Sequence, residues 1–389
     1  MNLTQAKIEQ AIGVLKELDI DLWLTICRES DSVPDPVTDL IVGHGAMWLS
    51  CFFIARNGKT IALVGSADAA NYKRTDLYQE IKVYTQDVGK DLKAIVQNVN
   101  PRHIAVNYSQ SNYTADGLSH GLFLLLEEWL KGTPYAERLI SAEEIVARVR
   151  GRKTREEIGF LEKAAVMADE CWHEALNQIK VGMTEIEIAA LLEQAIRKRK
   201  VEPSFEPIVN AGVKSEAGHA MPSTAVLEKG DLLHVDFGVR YEAFCSDIQR
   251  LAYFKKDNEK GAPPELSAAF HKVKTIIQET AKFYKPGALG HEIDAKARKM
   301  LLEDGYPLYD HGLGHQIGRA VHDGAAMVGP LWPRYGNMPT IPLETGNCFT
   351  AELGIQVFGI GYVGLEEDLI VTPEGGRFLG PCQDVLIVK

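Results

Sequence analysis

LLHVDFGVR (residues 232–240), FCSDIQRLAYF (244–254), HGLGHQIGRAVHDG (311–324), FTAELGI (349–355) and VGLEEDLIV (363–371) decide how this chain reads. Each of the first two segments and of the last two carries a carboxylate inside an apolar, strand-like run. Asp236 and Asp247 stand 11 residues apart, Glu352 and Glu366 stand 14 apart, and each pair sits in a strand–turn–strand pattern. A carboxylate in such a run is costly to bury unless it meets a cation. Solvated hairpin-edge acids are the ordinary alternative, and the paired arrangement argues against it. Between the pairs lie three histidines, His311, His315 and His322, wrapped in glycines that let backbone crowd close to a ligand. Four hard oxygen donors with an imidazole suit a pair of divalent ions better than a structural zinc. Such a pair can hold and ionise a water, so hydrolysis is the first expectation.

The rest of the chain agrees with a large enzyme of two domains. At 389 residues it can bury a sizeable core and split once. Apolar content of 46% and charged content of 24% are globular values, and a net charge of −11 argues against nucleic-acid and anionic-membrane surfaces. Six scattered cysteines without CxxC make neither a disulfide framework nor a thiolate zinc site. The opening MNLTQAKIEQAIGVLKELD has charges at helical spacing and no signal-peptide core, and no run reaches membrane-spanning length. The expected compartment is the cytoplasm.

Residues 1–150 alternate a helical stripe (Ile8, Ile12, Leu15, Leu18) with strand candidates at 22–26, 48–54, 60–64, 81–84 and 103–106 and a helix at 119–130. This predicts a small α/β domain with a mixed sheet. A break falls at VRGRK (149–153). In 151–389, Thr154 and Glu157 form a capping box that opens a helix expected to run through 179. Thr184 and Glu187 form another, opening a helix to about residue 200. Strands are expected at 205–211, 232–239 and 245–254, then helices at 265–284 and 290–303. Aligning Gly182 with Gly287 brings Ile188 onto Ile293 and Ala190 onto Ala295. Helix, glycine turn, helix and carboxylate strand pair therefore occur twice, and two-fold pseudo-symmetry would bring the Asp pair and the Glu pair to one centre.

The ordered set Asp236, Asp247, His315, Glu352 and Glu366, with KVGMTEIEIAALLEQAIRKRK (180–200) leading into PSFEPIVNAGVKSEAGHAMPS (203–223), resembles the pita-bread metallopeptidases of family M24. That family includes aminopeptidase P, prolidase and methionine aminopeptidase, with creatinase and ectoine-hydrolase branches. The resemblance covers about residues 150–389 and extends more loosely to a creatinase/prolidase-like N-terminal domain. It implies an α+β pita-bread catalytic domain at 151–389 and two divalent metal ions, manganese, cobalt or zinc. Asp236 would chelate one ion and Asp247 bridge both. His315 and Glu352 would bind the other, Glu352 also serving as general base, and Glu366 would bridge from the far side, Glu367 and Asp368 being adjacent alternatives of which only Asp368 shares its strand face. A metal-bridged hydroxide would attack the scissile carbonyl. His219 and His322 would contact the substrate and its developing oxyanion, and His311 would relay protons or touch substrate. The implied substrate is a short peptide, most of all Xaa-Pro, and the implied assembly a homodimer.

Three departures bear on specificity. Glu352–Leu353–Gly354 stands where Glu-Pro-Gly is usual, Gln249 where Thr is common, and Gly364 where prolidases and aminopeptidase P carry an Arg that orients substrate. Arg319 or Arg334 could replace that cation. A non-peptide amidohydrolase of the ectoine or creatine type is the nearest rival, and a non-catalytic binding module the second. Retention of all eight positions counts against the latter. GLSHG (117–121) spells a nucleophile elbow but lacks a preceding strand, and GIGYVG (359–364) spells a dinucleotide fingerprint but leads into a strand. Neither is read as a site.

Overall fold

The computed structural model describes residues 2–214 and 220–389, and the chain divides into two compact units, Met1–Gly151 and Arg152–Lys389. His219 lies outside the described residues.

The first unit carries six strands, β1 (Leu22–Cys27), β2 (Ser50–Ala55), β3 (Thr60–Gly65), β4 (Glu80–Tyr84), β5 (Ile104–Val106) and β6 (Leu139–Ser141), in the order β4-β3-β2-β1-β5-β6. β2 runs antiparallel to β1 and β3, whereas β4, β5 and β6 add in parallel, so the sheet is mixed as expected. β1, β2, β3 and β5 are buried on both faces, and the outer strands β4 and β6 only in part. α1 (Leu3–Glu17), α2 (Thr38–Ile41) and α6 (Glu143–Gly151) bring apolar residues to one face with Trp23, Phe52 and Val64. α4 (Val88–Val99) and α5 (His120–Leu130) cover the other with Leu24, Phe53 and Leu63. The sequence reading leaves out α4, the shorter α2, α3 (Ala69–Thr75) and α6, and β6. α4 was encoded by Asp87, which caps the amides of Gly89 and Lys90, and by Leu92, Ile95 and Val96. β2 opens at Ser50 instead of residue 48 because the Trp48 amide is taken by Asp68 and its indole is exposed. Ser119 caps α5, accepting from the Leu122 amide, which disposes of the nucleophile elbow.

In the second unit two helix pairs pack on a central sheet. α7 (Arg155–Leu176) and α8 (Glu185–Lys198) open with the two expected capping boxes. α9 (Pro264–Ala281) and α10 (Gly290–Glu303) follow later in the chain. α7 and α9 each end three residues before the expected point. The amides of Ile179 and Tyr284 bond to the carbonyls of Ala175 and Ala281, in turns that leave the helix while still burying both side chains. The repeat extends to the turns. Gly182 and Gly287 have φ of 96° and 84°. The Gly182 amide donates to Leu227 O and the Gly287 amide to Leu343 O, each at 2.8 Å.

The strands of this unit are β7 (Glu202–Pro203), β8 (Ile208–Ala211), β9 (Leu232–Phe237), β10 (Val239–Tyr241), β11 (Phe244–Cys245), β12 (Ile248–Tyr253), β13 (Gly314–His315), β14 (Met327–Val328), β15 (Cys348–Val357), β16 (Gly361–Thr372), β17 (Gly375–Phe378) and β18 (Ile387–Val388). The large sheet runs β15-β16-β12-β9-β8, with β17 beside β16 and β18 beside β12. Alternation divides its faces. Leu233, Val235 and Phe237 pack under α7 and α8, and Phe349, Ala351, Leu353, Leu365 and Leu369 pack under α9. Each such buried side chain contributes about 1.5–3 kcal/mol. The intervening residues, His234, Asp236, Glu352 and Glu366 among them, face the other way.

Candidate metal centre

One row across the large sheet builds the site. In register, Glu352 pairs with Glu366, Glu366 with Gln249, Gln249 with Asp236, and Asp236 with Ile208. Directly opposed side chains stand about 4.5–5.5 Å apart at Cβ, so three carboxylates and an amide are held side by side. Asp247 reaches them from outside the ladder. The strand expected over 245–254 is broken at residues 246 and 247. Ser246 Oγ accepts from the Val239 amide, and the Asp247 amide donates to Asp368 Oδ2 at 3.1 Å. The two acid pairs are therefore not equivalent: Glu352 and Glu366 face each other, whereas Asp236 faces Gln249.

His315 arrives on β13. A Cβ at Gly314 would lie 2.0 Å from the Thr350 carbonyl, so only glycine lets this strand pass so close to β15. His315 Nε2 comes within 3.6 Å of Asp247 Oδ2 and 3.9 Å of Glu366 Oε1. One donor atom from each of Asp247, His315 and Glu366 lies within 4.8 Å of the other two. Asp236 lies within hydrogen-bonding reach of Asp247. The His322 ring is 4.1 Å, centroid to centroid, from that of His315. His311 packs edge-on against Tyr309, whose hydroxyl donates to Glu352 Oε2 at 3.5 Å.

The electrostatics ask for a cation. Burial first, then the carboxylates of Glu366 and Asp236, push the Asp247 carboxyl well above its ordinary range. Burial, then Glu352 and Asp236, does the same to Glu366. Burial, then Asp236, raises Glu352 to about 8, and burial raises Asp236 to about 7 against a lowering contact from Asp247. Among the described residues, Oδ1 of Asp236 and Oδ1 of Asp247 are buried and accept no hydrogen bond. Crowded carboxylates with unused oxygens, beside one imidazole, fit divalent metal ions.

Residues 159–373 match metallopeptidase family M24. The chain belongs to that family. The Xaa-Pro dipeptidase of Pyrococcus horikoshii is 30% identical over 263 residues, 67% of this chain and 71% of that protein. The structure of the Xaa-Pro dipeptidase from Bacillus anthracis superposes with a TM-score of 0.78 at 25% identity, over 99% of this chain and 100% of that one. That of the X-Pro aminopeptidase from Thermotoga maritima gives 0.74 at 27% identity, over 98% and 99%. This M24 chain is thus a metallopeptidase with the two-part prolidase and aminopeptidase P fold, in a metal-dependent family. No helix among its described residues is long and apolar enough to cross a membrane.

Arg298 and His234 near the M24 centre escaped the sequence reading, and Asp368 entered it only as an alternative to Glu366. Arg298 is nearly buried and pairs with Asp294 at 2.5 Å. It donates to the carbonyls of Tyr309 and His311, so it clamps the segment that carries both side chains to the site. Asp368 anchors Asp247. Around Gly364 the family's Arg has no room: a Cβ there would lie 2.5 Å from Gln249 Oε1, 2.6 Å from Tyr362 Cε1 and 2.8 Å from His234 Nε2. Alternation along β9 was the available signal for His234, since it shares a face with Asp236. The proposed substitute cations are otherwise engaged. Arg334 lies over the rings of Trp332 and Tyr335 and donates to Asp310 O, and Arg319 lies over Phe244.

Proposed function

We propose that this M24 chain is a dinuclear-metal hydrolase of short peptides that cleaves beside proline, as its dipeptidase and aminopeptidase relatives are named for doing. The observation that carries the reading is the convergence of Asp247, His315 and Glu366 beside Asp236 and Glu352. In this reading residues 151–389 are the catalytic domain and residues 1–150 a creatinase/prolidase-like domain, and the protein works as a cytoplasmic homodimer.

Asp236, Asp247, His315, Glu352 and Glu366 would hold two ions, which supply Lewis acidity and an ionisable water at neutral pH. Glu352 takes the proton from the attacking water and returns it to the leaving amine, a general acid–base role worth about 10²–10⁴-fold. His322, whose ring lies beside that of His315, donates to the oxygen that gains charge as the carbonyl becomes tetrahedral, and His219 and His311 contact the substrate. The test is a panel of Xaa-Pro dipeptides and Xaa-Pro-Yaa tripeptides assayed on protein loaded with manganese, cobalt or zinc, with metal content measured alongside. Two ions per chain and turnover of one peptide class are expected. Protein that binds no metal, or that hydrolyses none of the panel when loaded, overturns the reading.

A second reading has one observation in its favour. Gly364 is enclosed by the neutral side chains of Gln249, Tyr362 and His234 instead of presenting a guanidinium. That wall suits a substrate that needs no guanidinium partner, such as a small non-peptide amide, and a panel of such amides run beside the peptides separates the two.

A further inference from the structure

Gln249 lies in the middle of the carboxylate row, with Glu366 on one side and Asp236 on the other. Its side chain is buried, and each of its polar atoms has a distinct partner. Nε2 donates to Glu366 Oε2 at 2.8 Å and to Glu352 Oε2 at 3.5 Å. Oε1 meets His234 Nε2 at 2.9 Å. The orientation of the amide follows from chemistry: as metal ligands the two carboxylates are ionised and only accept, so the amide nitrogen must face them. Oε1 then needs a donor, which makes His234 the Nε2–H tautomer. Its Nδ1 is left to accept from Asn210 Nδ2, found 3.4 Å away. The ring is fixed from the side by Tyr362, edge-on with centroids 5.3 Å apart. One chain of donors and acceptors therefore runs Asn210, His234, Gln249, Glu366, with one consistent assignment of hydrogens.

The consequence falls on Glu366. With Oε2 engaged by Gln249, its other oxygen, Oε1, is the one turned towards His315, at 3.9 Å. Glu352 is held the same way, Oε2 receiving both Gln249 and Tyr309. An amide here also does what an acid could not: it separates Glu366 from Asp236 in the row without adding charge.

We infer that Gln249, oriented by His234, is a positioning residue that fixes Glu366 and Glu352 as metal ligands, and that His234 acts only through it. The inference rests on the metal-centre reading above. Outer partners of this kind usually change metal affinity by about 10–100-fold when removed.

The test is calorimetric titration of the metal-free full chain with Mn²⁺, read as affinity and stoichiometry independently of turnover. Gln249→Met, similar in volume, should weaken binding by about 10–100-fold. His234→Phe, which keeps the ring against Tyr362, should weaken it less. The double variant should bind no worse than Gln249→Met alone, because the imidazole has nothing left to orient. Wild-type affinity in Gln249→Met, or losses that add in the double variant, overturns the inference while leaving the metal centre standing. If Gln249→Met does not fold, His234→Phe decides: unchanged affinity there also overturns it. A wild-type chain that binds no Mn²⁺ overturns both this inference and the proposed function.

Discussion

Stripped of metal by a chelator, this protein should become less stable as pH rises, the reverse of ordinary acid lability. Asp236 shows the sign and the size. Its carboxyl lies at an ordinary 3.8 in the unfolded chain and is pushed up to about 7 in the fold, because burial disfavours the charge. A group with its folded pKa raised binds more protons folded than unfolded, so its contribution is present at low pH. That contribution is lost as pH climbs from 3.8 through about 7. At roughly 1.36 kcal/mol per pH unit the gap amounts to about 4 kcal/mol. Glu352, Glu366 and Asp247 share protons with Asp236, so the cluster is counted once instead of four times. With about 2–4 °C per kcal/mol for a unit of this size, the melting midpoint should drop by roughly 8–16 °C. Burial also raises Glu367 to about 7 and Asp35 to about 6, with the same sign. The assay is therefore thermal unfolding of wild type and Asp236→Asn in chelator across that pH range, the variant serving as background. Its profile should be flatter by about the amount worked out above. Mn²⁺ should remove the wild-type dependence and add about 2.7 kcal/mol at a hundredfold excess over Kd. Parallel profiles for wild type and variant, or a midpoint indifferent to Mn²⁺, would refute the electrostatic account of the site.

Glu352→Gln should fold and still take up Mn²⁺ while kcat/KM on the Xaa-Pro panel falls by about 10²–10⁴-fold, checked by steady-state kinetics at matched metal content. Arg298→Met strands the buried Asp294 carboxylate and should cost about 3–5 kcal/mol in urea unfolding. Adding Asp294→Leu should recover most of that loss. Gly364→Arg should cost about 1–3 kcal/mol, since its side chain must displace Gln249, Tyr362 and His234. It should not raise Xaa-Pro turnover; a gain would mean the neutral wall yields to a cation.

Much of the architecture could be read in advance because it is written in local patterns. The capping boxes at Thr154 and Thr184 and the glycine turns at 182 and 287 are short-range signals, and the structure realises them where the pattern put them. What went astray also has local causes. Ile179 and Tyr284 continue an apolar stripe after the backbone has left the helix, so hydrophobic periodicity overran both ends. The α4 stripe was as clear as others but was passed over. Asp247 was placed inside a continuous strand, yet the ladder opens there because Ser246 and Asp247 send their hydrogen bonds to Val239 and Asp368.

Residue order and spacing alone specified the mixed-sheet α/β plan of the first domain, the doubled helix–turn–helix plan of the second and a donor set of acids with one imidazole, whereas the pita-bread class came with the family resemblance. Those are properties of period, turn chemistry and side-chain type, none of which needs a partner distant in sequence. Register was another matter. That the Glu352–Glu366 pair joins the Gln249–Asp236 pair in one row, and that Gly364 is walled by Gln249 and His234, depend on the pairing of β12 with β16, strands more than a hundred residues apart. Such pairings are settled by the packing of the whole sheet beneath its helices, which no local stretch of sequence records.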